Sequence, residues 1–552
     1  MLKNIKLQIT DDSGSQITFE ADGMTIFVGP NNSGKSLILR EIEMYIQRSS
    51  SHAYKILDDI KLAEIPDNEI EELLRNRRYA IDGRREYSEN NFPIVKLDYS
   101  TSTVRMQTNY DSANLKSFMF GGGNYFTLAY LYTTILDGKT RLTILDTKES
   151  HDLQVPPRNI NMLLLKDKNR RKQLRGIILK AFGIYLSVDM TGLKDIKVRF
   201  SQNEPSEEFE TSVSSGAISF QSDAILYEDS GDGLKAFTGI VGSILLSQDR
   251  ILLLDEPEAF LHPPLARTIG EEIVGIVSDR NASLVVATHS SDFLIGVLQS
   301  YIPVRIIRLT FTRGVAKAKI IDNDEVRNLT KNPVMRSANV LSGLFHDGVV
   351  ITEDDSDRVL YQEVNYRLIK HDSSGSSGTL FLNANGKSSL HKMAGPLRRS
   401  GVPAAICADF DYLFQASEFS QAMDVASIPT AISESMKRQK EEIFRNISND
   451  EKKQIKSLGL RYFSGDSLAS VTELLQRLDT YGIFIVPNGE LESWLTEMKV
   501  EGQKVNRVMQ ILEKMGSDQE DRDYAFPKPG DIWDYIRKVT EWIKDPARKG
   551  MS

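Results

Sequence analysis

The chain has 552 residues, with 76 Asp and Glu against 68 Lys and Arg and a formal net charge of -8. This length is enough for three or four domains of ordinary size, and the acidic balance argues against a strongly basic nucleic-acid-binding protein. The single cysteine, Cys407, excludes an intramolecular disulfide and a zinc ribbon, which needs about four thiolate or imidazole ligands.

The apolar segments are too short for a membrane protein. Stretches such as Gly239–Leu246 fall well below the roughly 20 residues that cross a bilayer, and residues 1–20 alternate in polarity instead of forming a signal peptide. Sustained heptads are also missing, so no long coiled coil is expected. We expect a protein of the reducing cytoplasm with no membrane contact.

The first half of the chain predicts strands that lead into loops and helices. These strands are Ile5–Ile9, Met24–Val28, Arg250–Leu254 and Ser283–Ala287. Their order is typical of a largely parallel α/β sheet. We assign a first domain to residues 1–335, with polar or mixed-charge insertions at about 49–95 and 150–215.

A phosphate-binding loop is predicted directly after the strand Met24–Val28. The pattern G-x-x-x-x-G-K-S is formed by Gly29, Pro30, Asn31, Asn32, Ser33, Gly34, Lys35 and Ser36. Glycines keep side chains out of the loop, so successive backbone N–H groups can bind phosphates at a helix N-terminus. We expect Lys35 to bind the β- and γ-phosphates of ATP and Ser36 to bind Mg²⁺.

Two later strand ends supply further groups that ATP hydrolysis needs. Asp255 and Glu256 follow four aliphatic residues; Asp255 suits the magnesium shell, and Glu256 suits positioning or deprotonation of the attacking water. His289 follows the strand Ser283–Ala287, where an imidazole could contact the γ-phosphate.

The second half predicts a smaller α/β domain over residues 346–552, with a polar, helical insertion at about 413–480. Its predicted strands are Gly348–Thr352, Thr379–Asn383, Pro403–Cys407 and Gly482–Val486. We expect a second functional site at the ends of these strands.

Pairs of carboxylates follow three of the strands: Glu353 and Asp357, Asp409 and Asp411, and Glu490 and Glu492. Residues four apart in a helical turn, or two apart in an extended segment, share a face. Oxygen ligands without His or Cys favour Mg²⁺ or Mn²⁺ over zinc. The alternative is structural, with Asp354 and Asp355 capping a helix and the last two glutamates solvated.

The first half resembles the ABC-type ATPase heads of the SMC-like and OLD (overcoming lysogenisation defect) proteins. The segments Asp255–Pro263 and Ala287–Ser291 carry the resemblance, and Ser230-Gly231-Asp-Gly-Leu stands where the family has its glycine-rich signature. The resemblance implies that Ser230 and Gly231 contact ATP bound to a second subunit and that His289 is the switch histidine. The family's glutamine loop is not assigned.

The second half resembles the TOPRIM domain of topoisomerases, primases and OLD nucleases over about 346–500. The glutamate after the first strand and the Asp-x-Asp after a later one carry the resemblance, and Asn383-Ala-Asn-Gly-Lys-Ser is similar to a glycine-lysine turn of the OLD branch. The resemblance also implies a basic residue from the last segment beside the scissile phosphate. Lys528 is the first candidate and Lys538 the second.

An ABC head followed by TOPRIM is the OLD architecture, which implies an ATP-hydrolysing, Mg²⁺- or Mn²⁺-dependent DNA endonuclease. Glu353, Asp409 and Asp411 are the expected catalytic ligands, and two metal ions would clamp the attacking and leaving oxygens. The resemblance further implies a homodimer or higher oligomer and a role in bacterial defence against phage. Some members act with a second component, such as a retron reverse transcriptase and its RNA-linked DNA.

Two alternatives remain open. One is an SMC-like, nucleotide-gated DNA clamp with an inactive TOPRIM domain, and the other is a TOPRIM nuclease acting on RNA or nucleotides. Basic clusters could contact nucleic acid, although charge runs are usually solvated faces. They are Arg75, Arg77, Arg78, Arg84 and Arg85; Lys168, Arg170, Arg171, Lys172 and Arg175; and Arg398 and Arg399.

Overall fold

A computed structural model describes residues 2–551 except for 12–13, 49–52, 64–65, 77–90, 99–102, 112–124, 139, 155–156, 248, 279, 281, 301, 313, 332–338, 501–503 and 521–523. The chain divides into two compact units, Met1–Val28 with Gly34–Leu309 and Gly29–Ser33 with Thr310–Ser552. Among the described residues, no helix has the length and apolar character needed to span a bilayer.

The largest sheet has nine strands within the described residues. They are β1 (Leu2–Thr10), β2 (Gln16–Glu20), β3 (Met24–Val28), β4 (Leu57–Leu62), β7 (Thr133–Leu136), β12 (Ile251–Asp255), β13 (Ser283–Ala287), β14 (Val304–Thr312) and β15 (Val315–Ile321). The order is β2-β1-β15-β14-β3-β13-β12-β7, with β4 beside β1. Strands β14, β3, β13, β12 and β7 run parallel, so the prediction of a largely parallel α/β sheet is confirmed.

Other strands lie outside this sheet. An antiparallel pair is formed by β5 (Asn91–Asp98) and β6 (Thr103–Asp111), and a smaller sheet contains β8 (Lys148–Glu149), β9 (Tyr185–Asp189), β10 (Asp195–Ser201) and β11 (Ile225–Leu226). The helices as far as β14 are Lys35–Arg48, Asp67–Asn76, Tyr125–Leu131, Thr140–Thr143, Ile160–Lys166, Lys168–Phe182, Glu207–Thr211, Ser215–Ser222, Asp232–Leu246, Pro263–Ser278 and Ser291–Gln299.

The central strands form because aliphatic residues fill them on both faces. Every residue of β3 and β13 is buried, as expected for parallel strands covered by helices. Asp255 at the end of β12 pairs with Ala287, and Ala287 pairs with Phe27 of β3. The carboxyl ends of β3, β12 and β13 therefore meet at one edge of the sheet.

One expected insertion contains part of the sheet. Strand β4 lies inside residues 49–95 and pairs antiparallel with β1, so this part of the range belongs to the principal sheet. The domain limits at 335 and 346 stay predictions.

The basic cluster Lys168–Arg175 is only partly available to nucleic acid. Arg171 Nε lies 3.0 Å from Glu210 Oε2, and Arg175 Nη2 lies 2.5 Å from Glu210 Oε1, with all three side chains buried. The expectation that these two arginines face DNA is wrong, because they neutralise an internal carboxylate. The cluster from Arg75 to Arg85 lies outside the residues whose side chains the structure describes.

The second unit contains a four-stranded parallel sheet. Its strands are β16 (Gly348–Thr352), β17 (Thr379–Asn383), β18 (Ala404–Ala408) and β19 (Ile483–Ile485), in the order β17-β16-β18-β19. The helices that follow β15 are Asn323–Lys331, Asp355–His371, Lys387–Arg399, Ala416–Val425, Thr430–Phe444, Asn449–Leu458, Gly465–Asp479, Lys504–Lys514 and Asp531–Lys544. The strands match their predicted positions within one residue at each end.

Arg398 links the strands of this sheet from inside. Its guanidinium donates to the carbonyls of Ala404, Tyr481, Gly482 and Gly550 at 2.8–2.9 Å, and its side chain is completely buried. The expectation that Arg398 contacts DNA is therefore wrong. Its neighbour Arg399 is exposed and pairs with Glu325.

We expect Arg398→Ala to lower the free energy of unfolding of the second unit by about 3 kcal/mol or more, because it leaves several buried carbonyls without donors. Arg399→Ala is the matched control, for which we expect a change of about 1 kcal/mol or less. Denaturant titration measures both. Equal effects of the two substitutions would contradict the structural role of Arg398.

Candidate active sites

The loop after β3 has the backbone that a phosphate-binding turn requires. Gly29, Asn32 and Gly34 have φ angles of 142°, 61° and 97°. Positive φ angles are unfavourable for residues with a Cβ, and glycine adopts them readily. A Cβ at Gly34 would also collide with the side chain of Ile56. The helix Lys35–Arg48 begins directly after this loop.

Ser36 and Asp255 are joined by a hydrogen bond, in which the Ser36 hydroxyl donates to Asp255 Oδ1 at 2.8 Å. Lys35 is buried, and its charge interacts with that of Asp255. Burial lowers the pKa of Lys35 to about 8, although the negative charge of Glu256 opposes this shift. Its ammonium group is thus poorly hydrated, which favours strong binding of a phosphate that enters the site.

His289 lies against the carboxylate of Glu256, with 3.3 Å between His289 Nε2 and Glu256 Oε1. Burial, together with the positive charge of Lys35, lowers the pKa of His289 to about 4, so this imidazole is neutral near pH 7. The backbone N–H of His289 donates to Glu258 Oε1 at 2.7 Å. These contacts bring the two predicted strand ends together around Glu256.

Arg141 holds the backbone that presents Asp255 and Glu256, a role that no sequence motif indicates. Its Nη2 donates to the Asp255 carbonyl at 2.5 Å, its Nη1 donates to the Glu256 carbonyl, and its Nε donates to the Asp137 carbonyl at 3.0 Å. Glu256 has a φ of 49°, an uncommon conformation for a residue with a Cβ. Because the guanidinium is buried and bonded to both carbonyls, it stabilises this turn.

The segment Ser230–Gly231 lies directly before a 15-residue helix, Asp232–Leu246. Ser230 donates its hydroxyl to the Tyr227 carbonyl at 2.7 Å, and Gly231 is exposed as the N-cap residue. The Tyr227 hydroxyl donates to the carbonyl of Arg141 at 3.3 Å. Tyr227 therefore connects Ser230 to the backbone of the arginine that holds Glu256.

Three carboxylates of the second unit converge at the carboxyl edge of its sheet. Glu353 follows β16, Asp409 follows β18, and Asp411 lies in the 3-10 turn Phe410–Phe414. One oxygen from each lies within 4.8 Å of the others. Burial raises the pKa of Asp409 well above its usual value, and the charges of Asp357 and Glu353 add to the effect.

Asp357 borders this group while completing a helix cap. Its Oδ2 accepts from the backbone N–H of Asp354 at 3.3 Å, and its Oδ1 is buried without a hydrogen-bond partner. Burial raises its pKa to about 7, with Glu353 the next cause and Glu492 a smaller one. The predicted cap is confirmed for Asp354, which is the N-cap residue, and Asp357 completes its capping box while lying close enough to Glu353 for their charges to interact.

Lys387 and Lys456 reach the acids. Lys387 Nζ lies 2.5 Å from Asp411 Oδ1 and 3.7 Å from Glu353 Oε1. Lys456 Nζ lies 3.7 Å from Asp411 Oδ2 and 3.5 Å from Glu490 Oε2. The glycine-lysine turn at Gly386 pointed to Lys387, whereas Lys456 lies in a polar helix without a motif.

The structure does not bring Lys528 to the acidic cluster. Its ammonium pairs with Glu497, and Lys538 pairs with Asp479 at 2.9 Å. Neither lysine has a described contact with Glu353, Asp409 or Asp411. The ion pairs with Glu497 and Asp479 therefore do not support the prediction that Lys528 or Lys538 lies beside a scissile phosphate.

The donor set fits a divalent cation. Glu353 Oε2 and Asp357 Oδ1 are buried oxygens without a hydrogen-bond partner, and the three side chains that converge are all carboxylates. Mg²⁺ and Mn²⁺ favour such hard ligands. Glu353, Asp409 and Asp411 would hold the ion, with Asp357 beside them.

Comparisons with known proteins identify the types of the two domains. Residues 128–296 match a family model described as "AAA domain, putative AbiEii toxin, Type IV TA system". Residues 344–411 match one described as "Overcoming lysogenization defect protein-like, TOPRIM domain". The Old nuclease of Escherichia phage P2 is 23% identical over 308 residues, which are 53% of this chain and 50% of that protein. The chain thus spans about half the length of this relative.

Two solved structures are also similar over part of the chain. The SMC head domain from Thermotoga maritima has 14% identity and a TM-score of 0.27, with 58% of this chain and 99% of that chain covered. The SMC head bound to the C-winged helix domain of ScpA has 12% identity and a TM-score of 0.35, with 59% and 99% covered.

The chain therefore combines a P-loop ATPase domain of the AAA type with a TOPRIM domain. Its TOPRIM domain is of the OLD-like type, in agreement with the resemblance found in the sequence.

We expect Arg141→Lys to lower kcat for ATP hydrolysis about tenfold or more, because a lysine cannot bond to both carbonyls that position Glu256. The affinity for ATP should change little, because Lys35 and Ser36 are untouched. Steady-state ATPase assays and binding of a fluorescent nucleotide measure the two quantities.

Arg170→Lys is the matched control, because Arg170 donates to the Leu246 carbonyl away from the strand ends. A similar loss of kcat in both variants, or a loss of ATP affinity alone in Arg141→Lys, would contradict a positioning role for Arg141.

Proposed function

We propose that this protein is an ATP-binding and ATP-hydrolysing DNA endonuclease of the OLD type that depends on Mg²⁺ or Mn²⁺. The observation that carries the proposal is the convergence of Glu353, Asp409 and Asp411 within 4.8 Å, in a domain that matches the OLD-like TOPRIM family. The P-loop ATPase domain on the same chain supports the nucleotide requirement.

In the ATPase site, Lys35 binds the β- and γ-phosphates, and Ser36 and Asp255 hold Mg²⁺. Glu256 orients the attacking water, and Arg141 keeps Glu256 in place through the two backbone carbonyls. Neutral His289 can donate a hydrogen bond to the γ-phosphate without adding a charge. Each of these residues is positioned by the end of a parallel strand or by the helix after it.

In the nuclease site, Glu353, Asp409 and Asp411 bind the cation, and Asp357 supports the same cluster from the first turn of its helix. A bound divalent cation supplies positive charge for the phosphate and lowers the pKa of a water molecule. Lys387 offsets part of the negative charge of Asp411 and Glu353. Asp409 directly follows the strand Ala404–Ala408, which fixes its position at the edge of the sheet.

We further propose that two copies pair through their ATPase domains. Exposed Gly231 and the adjacent Ser230, at the start of the helix Asp232–Leu246, would contact the nucleotide of the second copy. A homodimer, or a higher oligomer built from it, follows from this arrangement.

A role in bacterial defence against phage is part of the proposal and rests on the family resemblance. A second component, such as a reverse transcriptase with RNA-linked DNA, rests on the resemblance alone. Nuclease activity is supported by the similarity to the Old nuclease, and DNA as the substrate rests on the family resemblance.

Incubation of purified protein with supercoiled plasmid and Mg²⁺ or Mn²⁺, with and without ATP, tests the nuclease. We expect wild type to nick or linearise the plasmid and Asp409→Asn to be slower by about a hundredfold or more, because a ligand for the cation has been weakened. Parallel incubation with RNA and with nucleotides tests the alternative substrates.

Lys35→Ala is the second variant, for which we expect loss of ATP binding and hydrolysis. Asp409→Asn should keep wild-type ATPase activity, which separates a damaged nuclease site from a misfolded protein. Intact plasmid under every metal and nucleotide condition, combined with DNA binding and ATP hydrolysis, would instead support the clamp with an inactive TOPRIM domain.

A further inference from the structure

The helix Asn449–Leu458 lies in the expected insertion of the second unit, yet its last turn returns to the acidic cluster. Gly459, directly after this helix, has a φ of 57°, and a Cβ there would collide with the backbone of Pro487 and Gly489. A Cβ at Gly489 would collide with the backbone of Lys456 and Ser457. The two glycines therefore allow the helix end and the loop after β19 to pack backbone against backbone.

Further hydrogen bonds fix this junction. The N–H of Leu460 donates to the Pro487 carbonyl at 2.8 Å, and the N–H of Phe410 donates to the Gly489 carbonyl at 2.8 Å. Ile455, one residue before Lys456, is completely buried. The junction thus connects the inserted helix, the loop that carries Glu490 and the turn that carries Asp411.

Lys456 extends from this junction over the edge of the cluster. Its ammonium lies 3.7 Å from Asp411 Oδ2 and 3.5 Å from Glu490 Oε2, and 44% of its side chain is exposed. Lys387, by comparison, is 18% exposed and lies 2.5 Å from Asp411. Lys387 is thus largely enclosed, whereas Lys456 contacts the carboxylates and remains accessible to solvent.

We propose that Lys456 is a catalytic residue that binds a non-bridging oxygen of the scissile phosphate. This inference rests on the proposed nuclease function. With the oxygens of Asp411 and Glu490 engaged by a bound cation, the ammonium of Lys456 would be available to an anion. The insertion would then complete the nuclease site by supplying the phosphate-binding charge.

The chemical step places no demand on Lys456 for proton transfer. The water oxygen forms a bond to phosphorus, the bond from phosphorus to one sugar oxygen breaks, and the proton released by water ends on that leaving oxygen. Lys456 keeps its proton throughout and stabilises the negative charge that grows on the non-bridging oxygens.

Lys456→Gln tests the proposal, with Lys453→Gln as the matched control. Lys453 lies on the same helix, is 80% exposed and pairs with Asp450 at 3.1 Å.

We expect Lys456→Gln to slow plasmid cleavage about a hundredfold. The slope of log DNA affinity against log salt, measured with Ca²⁺ in place of Mg²⁺, should become shallower by about 0.9. We expect Lys456→Arg to recover part of both losses and Lys453→Gln to cleave at the wild-type rate.

Calorimetric titration with Mn²⁺ in the absence of DNA separates phosphate binding from a structural role. Removing an ammonium that competes for Asp411 and Glu490 should leave Mn²⁺ affinity equal to or higher than that of wild type. A fall in Mn²⁺ affinity in Lys456→Gln would show that the lysine only organises the carboxylates, and would overturn the proposal.

Cleavage by Lys456→Gln within about threefold of wild type would overturn it as well. If wild type cuts and Asp409→Asn does not, such a result refutes the role of Lys456 and leaves the nuclease proposal intact. A wild-type protein that cuts under no condition refutes both.

Discussion

Mutual repulsion of buried carboxylates is the constraint on which the second unit depends. Glu353, Asp357, Asp409 and Asp411 are close enough for their charges to interact, and two unit charges 4 Å apart interact by about 4 kcal/mol at an effective dielectric constant of 20. Burial raises the pKa values of Asp357 and Asp409, and repulsion from the neighbouring carboxylates raises them further. The fold must therefore hold these groups through rigid strand ends and nearby ammonium groups, and a divalent cation would relieve the remaining repulsion.

Both units solve the problem of assembling a polar site in the same way. Parallel strands place their carboxyl ends along one edge, so residues far apart in the chain, such as Lys35, Asp255 and His289, become neighbours without long loops. This is why so much could be predicted from the sequence. A run of aliphatic residues predicts each strand, and the polar site residue follows it directly. One local pattern therefore predicts both the strand and the position of its site residue.

Residues that act across the fold could not be predicted in this way. Arg141, Arg398 and Lys456 lie in helices, and nothing in their local sequence distinguishes them from solvated basic residues. Arg398 satisfies carbonyls from segments up to 152 residues away, which depends on how the chain closes and not on any local pattern. Arg171 and Arg175 are a further example, because local sequence alone suggested that they could contact DNA. In the structure both form buried ion pairs with Glu210, which is distant in the sequence.

The contact between Gly459 and Gly489 has a consequence for how related sequences should vary. The inserted helices are polar and largely exposed on their outer faces, so most of their positions can change freely. The two glycines cannot, because a Cβ at Gly459 would collide with the loop that carries Gly489, and a Cβ at Gly489 would collide with the end of the helix before Gly459. In homologous chains that share the insertion, we expect the pair to be kept or lost together, and Lys456 to be inherited with it. The pair would thus serve as an evolutionary marker of the insertion in chains whose remaining sequence has diverged.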